Sequence, residues 1–238
     1  MNIFLAGASG VIGRRLVPLL RDAGHQVTGT TRSPERAAAL EALGARGVVV
    51  DVYDARALLK AMNASHPDVV IHQLTDLPDT IDPQTYAAAL AANSRLRIEG
   101  TRNVVAAAEM SGARRLIAQS VAFAYAPSGE PHDEDAPLDK SEGRRALLDG
   151  MMALETSVRS KRAFDGIILR YAYFYGPGTW YAAPTRPPSI HVDAAAHAAL
   201  LAVTHGAPGI YNIAEDDGAV SIDKARKELG FDPRFRLR

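Results

Sequence analysis

Short apolar runs alternate along this chain with longer stretches whose apolar positions recur every three or four residues. The short runs predict buried strands, and the longer stretches predict amphipathic helices. Strands are expected over Asn2–Gly7, Gln26–Thr31, Gly47–Val50, Pro67–Leu74, Arg114–Ser120, Phe164–Tyr173 and Gly209–Ala214. Helices are expected between them over 11–24, 33–44, 54–64, 83–110, 141–160, 192–206 and 221–230. Ser33 followed by Pro34 is a helix start, and Gly44 sits where a left-handed stop belongs. Segment 126–139 reads as a polar loop and Thr179–Ser189 as a proline-rich one. Strands that alternate with helices of ten or more residues imply βαβ units, a parallel sheet and right-handed crossovers.

One stretch interrupts this regularity. In "GASGVIG", Gly7, Gly10 and Gly13 stand three apart between the first strand and the first helix, where glycine is a poor former of either element. At the carboxyl edge of such a sheet, a helix start offers unpaired N–H groups and partial positive charge, which suit a pyrophosphate. Gly7, Ala8, Ser9, Gly10, Val11, Ile12 and Gly13 are therefore the expected dinucleotide cradle.

The chain has 238 residues, enough for one large α/β domain. Lys plus Arg and Asp plus Glu are 27 each, so no charge imbalance argues for nucleic acid or an acidic membrane. The absence of cysteine excludes disulfides and thiolate chemistry, and no metal site is expected. Met1–Ala6 is too short for a secretory signal, and no apolar run suits a membrane span, so a cytoplasmic protein is expected.

Several further segments stand in order: "DVYD" at 51–54, "RRLIAQSVAFAY" at 114–125, "ILRYAYFYGPGT" at 168–179, "HVDAAAHA" at 191–198 and "YNIAEDD" at 211–217. With the glycine triplet, they make the chain resemble the extended short-chain dehydrogenase/reductase superfamily, the NAD-dependent epimerase/dehydratase group. The resemblance implies a Rossmann-like doubly wound parallel sheet with a small discontinuous C-terminal substrate cap. It divides the chain into a nucleotide-binding domain over 1–170 and a mostly substrate-side part over 171–238, with 191–213 returning to the first domain. The family has more chain near 182–189 and 217–221, so this protein has either a reduced cap or segments missing there.

The second strand ends in "TTRS" with no acid to repel a 2′-phosphate. Arg32, with Arg14 near it, is either a phosphate ligand or a solvated surface group; the pattern favours NADP over NAD. The resemblance places Asp51 and Val52 beside the adenine, Leu74 and Thr75 along the nicotinamide ribose, and Pro177 beside the nicotinamide. His72 reads as strand-end packing, Asp193 as a helix N-cap, and Trp180 and Tyr181 as either a substrate wall or loop packing.

The superfamily couples hydride transfer to proton transfer through a tyrosine and a lysine four residues later, on one helix face. None of the eight tyrosines here has a lysine four residues on. Aligned on Glu155, the lysine position is Met151 and the tyrosine position Leu147; the usual serine falls on Val121, next to Ser120. Substitute catalytic candidates are Tyr175, Ser120 and Tyr125, with Tyr173 nearby; Ser120 could equally bond local backbone. The expected function is an NADP-preferring oxidoreductase-like protein acting on an unknown small molecule. The alternatives are a non-catalytic NADP-binding redox sensor and a nucleotide-sugar epimerase or dehydratase. The resemblance also offers a homodimer through the helices after the fourth and fifth strands.

Overall fold

A computed structural model describes residues 1–237 other than 79, 81, 83, 128 and 130. The first apolar run is β1 (Asn2–Ala6), an interior strand of a seven-stranded sheet. It is joined by β2 (Gln26–Thr31), β3 (Arg46–Val49), β4 (Val69–His72), β5 (Arg115–Val121), β6 (Asp165–Tyr171) and, after two short strands, β9 (Gly209–Ile213). The order is β3-β2-β1-β4-β5-β6-β9, and every pairing is parallel. β4 is buried along its whole length, as a strand covered on both faces must be. The register sets Ala6 beside His72 and His72 beside Ala118, so β1, β4 and β5 end at one common edge.

Helices cover both faces. On one side α1 (Gly13–Asp22), α2 (Pro34–Ala42), α7 (Val192–Leu201) and α8 (Asp223–Leu229) bury Leu16, Leu20, Leu40, Ala198 and Leu229 in one apolar cluster. On the other, α3 (Ala55–Asn63), α5 (Thr101–Met110) and α6 (Arg145–Arg159) bury Leu58, Val104 and Leu154 with Phe4 and Leu116. Ser33 caps α2 by accepting the Arg36 N–H, as its position predicts. No helix is long and apolar enough to cross a membrane among the described residues.

Three elements differ from the sequence reading. The long helix expected from Pro83 is α4 (Tyr86–Arg95) running through a π turn (Leu96–Gly100) into α5; Pro83 itself lies outside the described residues. Periodicity over such a length cannot reveal one inserted residue in a turn. The strand expected to reach Tyr173 stops at Tyr171 and restarts as β7 (Tyr173–Tyr175), which pairs in parallel with β8 (Ser189–His191). β8 lies at the end of the predicted proline-rich loop, and three residues are too few to carry a pattern. Asp193 is not the α7 cap: His191 is, its Nδ1 accepting the Asp193 N–H at 3.2 Å.

Candidate functional site

Each glycine of the cradle has its own steric reason. Gly7 has φ +88°, and a Cβ there would stand 2.8 Å from the Gln73 carbonyl carbon, so the turn can press against the chain leaving β4. A Cβ on Gly13 would stand 2.4 Å from the carbonyl oxygens of Gly7 and Ala8, so α1 can start directly against the turn. Gly10 is exposed and would meet only the Gly7 oxygen, at 3.3 Å, which leaves its outer face open to a ligand. Ala8 and Ile12 are buried beneath, and Val11 packs at the core's edge. No side chain caps α1, and no acidic residue stands in its first turn. The cradle therefore fits an anionic diphosphate.

At the end of β2, Ser9 Oγ donates to Thr31 Oγ1 at 3.1 Å, and Arg32 pairs with Asp76 at 3.0 Å while its side chain is 64% exposed. Asp51 is exposed and accepts the Tyr53 N–H. Val52 is buried within the core cluster of Phe4 and Leu96, and its carbonyl accepts from Asn103. Arg14 is exposed and lies beside Gly178.

The chain after β4 is held by side chains. His72 is fully buried, which pushes its pKa down to about 4 and leaves it neutral. The Leu74 N–H donates to Nδ1, so the proton is on Nε2 and donates to Thr101 Oγ1 at 2.9 Å. Gln119 Nε2 donates to the Leu74 carbonyl, and the Asp76 N–H donates to Asn93 Oδ1. His72 thus does the packing work expected of it. Leu74 and Thr75 are carried on a turn fixed at both ends.

Beside this turn lies a buried charged network. Glu155 accepts from Ser120 Oγ at 2.6 Å and from Arg170 Nε and Nη2 at 2.9 and 2.8 Å. Arg170 Nη1 donates to Tyr125 Oη at 2.8 Å, and Tyr125 donates on to Asn212 at 2.7 Å. Burial raises the Tyr125 pKa, and burial opposes the Arg170 charge, but the paired Glu155 holds Arg170 firmly protonated. The hydroxyls of Ser120 and Tyr125 are therefore both committed within the fold. Met151 is fully buried on the same helix as Glu155. Arg97, on the π turn, has burial pulling its pKa down to about 10, so it stays cationic at neutral pH. The sequence reading missed it. Asn93, Arg97 and Thr101 are all buried at four-residue spacing, a polar stripe inside an Ala-rich helix that could have marked it.

The loop after β7 is tied to the cradle. Arg15, in the first turn of α1, donates to the Pro177 carbonyl, to the Val11 carbonyl at 3.1 Å and to Asp193 Oδ1 at 2.8 Å. Sequence reasoning did not find this strut, since 178 positions separate Arg15 from Asp193. Trp180 Nε1 donates to the Pro78 carbonyl at 3.0 Å and meets Tyr86 edge to face, so the loop reaches across to the chain after β4. Tyr181 is exposed. Tyr175 donates to Glu215 and accepts from Arg236 at 3.1 Å. Burial, then the Glu215 contact, lifts its pKa to about 12.

The sequence profile of a family described as NAD(P)H-binding matches residues 7–186. A 3-diazoavenalumate denitrifying reductase from a Streptomyces species is 41% identical over 242 aligned positions, covering 92% of this chain and 77% of the reductase. The dTDP-4-dehydrorhamnose reductase of Streptomyces griseus is 30% identical over 183, covering 73% and 50%. Among solved structures, UDP-glucose 4-epimerase of Thermotoga maritima superposes with a TM-score of 0.78 at 18% identity, covering 99% of this chain and 94% of the epimerase. Bordetella bronchiseptica WbmG in complex with NAD gives 0.76 at 18% identity, covering 99% and 89%. At that identity the structural likeness concerns the fold alone.

Proposed function

This chain belongs to the NAD(P)H-binding family and has a Rossmann-like fold, and on that premise we propose that it is an NADP-preferring reductase whose acceptor needs no proton from the protein. The observation that carries the proposal is the 41% identity, across 92% of the chain, to a reductase. The glycine cradle and the uncapped start of α1 support the nucleotide half of it.

The acceptor class follows from what the reaction end holds. Leu147 and Met151 occupy the helix positions where the wider superfamily keeps its tyrosine and lysine. Ser120 and Tyr125 spend their hydroxyls on Glu155 and Asn212, and a Tyr175 pKa near 12 makes a poor acid at neutral pH. An acceptor that discharges its own leaving group as a neutral gas fits such a site, and an aryl diazonium does so. A nicotinamide dinucleotide held over Gly7, Gly10 and Gly13 would supply hydride, and replacement of N2 by hydride at the arene carbon balances with the C–N pair leaving in N2 and no proton taken up.

The chain's own residues bind, orient and exclude water. Gly7, Gly10 and Gly13 shape the diphosphate seat. Arg32 exchanges an exposed ion pair with Asp76, worth little in water, for the 2′-phosphate. Arg15 holds the Pro177 loop against the cradle, and Trp180 closes the far side. Leu147 and Met151 keep the end dry, where hydrolysis would compete.

The test is NADPH oxidation with a benzenediazonium salt, run beside a carbonyl panel and an enzyme-free control. Accelerated oxidation with one N2 per NADPH is expected, with deuterium from 4-deuterated NADPH on the arene carbon. Binding of NADPH without acceleration for either class would favour the redox sensor instead.

A further inference from the structure

The polar stripe Asn93–Arg97–Thr101 has two members with evident tasks. Asn93 receives the Asp76 N–H and Thr101 receives the His72 proton, so both pin the turn that carries Leu74 and Thr75. Arg97 stands between them on the π turn and pins nothing. It is 6% exposed, and its Nη1 has no hydrogen-bond partner among the described residues.

Its charge is also uncompensated. Glu155 is the carboxylate whose field Arg97 feels, but both Glu155 oxygens are occupied by Arg170, and one by Ser120 as well. His72 is neutral. Among the described residues, two guanidinium groups therefore share the one carboxylate of Glu155, a local excess of one positive charge. A buried cation with an unmet N–H is unfavourable unless an acceptor arrives.

The placement gives that acceptor an address. A Cβ on Gly150 would lie 3.5 Å from Arg97 Cβ, so the π turn sits against the turn of α6 that carries Met151. π turns concentrate at functional sites, and the carboxyl edge of a parallel sheet is where ligands bind. Arg97 thus stands as a cation against the turn of α6 where the apolar Met151 sits.

We propose that Arg97 is the anion-recognition residue of the acceptor site and that the group it takes is a carboxylate. A monoanion balances the single excess charge, whereas a phosphate dianion overshoots it. The planar guanidinium matches a carboxylate in geometry. This deepens the reductase reading and rests on it for the identity of the edge as the acceptor site.

Calorimetric titration of the full chain saturated with NADP+, using cinnamate and neutral cinnamamide, reads the charge preference without turnover. Cinnamate is expected to bind at least tenfold more tightly. In Arg97→Met the preference falls below twofold while the NADP+ Kd changes less than twofold, and Arg97→Lys keeps at least threefold. Equal binding of acid and amide by the wild type, or a preference that survives in Arg97→Met, overturns the assignment. Should Arg97→Met fail to fold, the wild-type and Arg97→Lys titrations decide by the same thresholds. A charge preference without any NADPH oxidation leaves the anion site standing and sinks the reductase reading; oxidation indifferent to acceptor charge does the reverse.

Discussion

The cradle after β1 and the buried polar network between β5 and α6 are built from different materials. The cradle is backbone: a turn, three glycines and the first N–H groups of α1, with no side chain capping them. The network is side chain: Ser120, Glu155, Arg170, Tyr125 and Asn212 form one connected, buried set of hydrogen bonds. A backbone site cannot be rewired without moving the strand and helix that make it. A side-chain site can change its chemistry while the fold stands, because each group needs only some partner. On the proposed reading, a nucleotide seat kept beside an altered catalytic end is what that difference permits.

The largest expected effect tests whether the two regions are separable. Arg170→Met leaves Glu155 buried with Ser120 as its remaining partner, and should cost about 3–5 kcal/mol in urea denaturation. NADPH affinity should change less than threefold. A collapse of affinity in a folded variant would show that the cradle depends on the network.

His72 lies between the regions, and its effect is read by pH. Its folded pKa of about 4 lies below its ordinary 6.5, so between these values the unfolded chain holds a proton that the folded chain lacks. Its contribution is fully present above pH 6.5 and is lost as pH falls to 4, amounting to about 3 kcal/mol. Urea midpoints at pH 7 and pH 4.5 should lie closer together in His72→Asn than in the wild type. An unchanged gap would mean that His72 is not held neutral.

A smaller effect sharpens the account of the cradle. Arg32→Ala should weaken NADPH by about tenfold, or about 1.4 kcal/mol, and leave NADH within twofold. Equal loss for both nucleotides would remove Arg32 from 2′-phosphate recognition.

The smallest effect concerns Tyr175 on β7. Tyr175→Phe should lower stability by about 1 kcal/mol through the lost contacts with Glu215 and Arg236, and change kcat less than twofold. A drop of tenfold or more would reinstate Tyr175 as the proton donor.

The sequence by itself determined the alternation of strands and helices, the position of the glycine turn and the absence of a Tyr-x-x-x-Lys pair. These are local facts: a strand, a turn and a helix start within some twenty residues interact chiefly with themselves. The tertiary structure alone decided which polar groups were free to act. Ser120 and Tyr125 stood in the sequence as candidates with packing or backbone bonding as the other reading, and Glu155 and Asn212, 35 and 87 positions away, are what occupy their hydroxyls. The Arg15 strut, the β7–β8 pair and the unmatched charge of Arg97 were invisible for the same reason. A buried polar group takes its meaning from the partner that satisfies it, and chain folding brings that partner from far along the sequence.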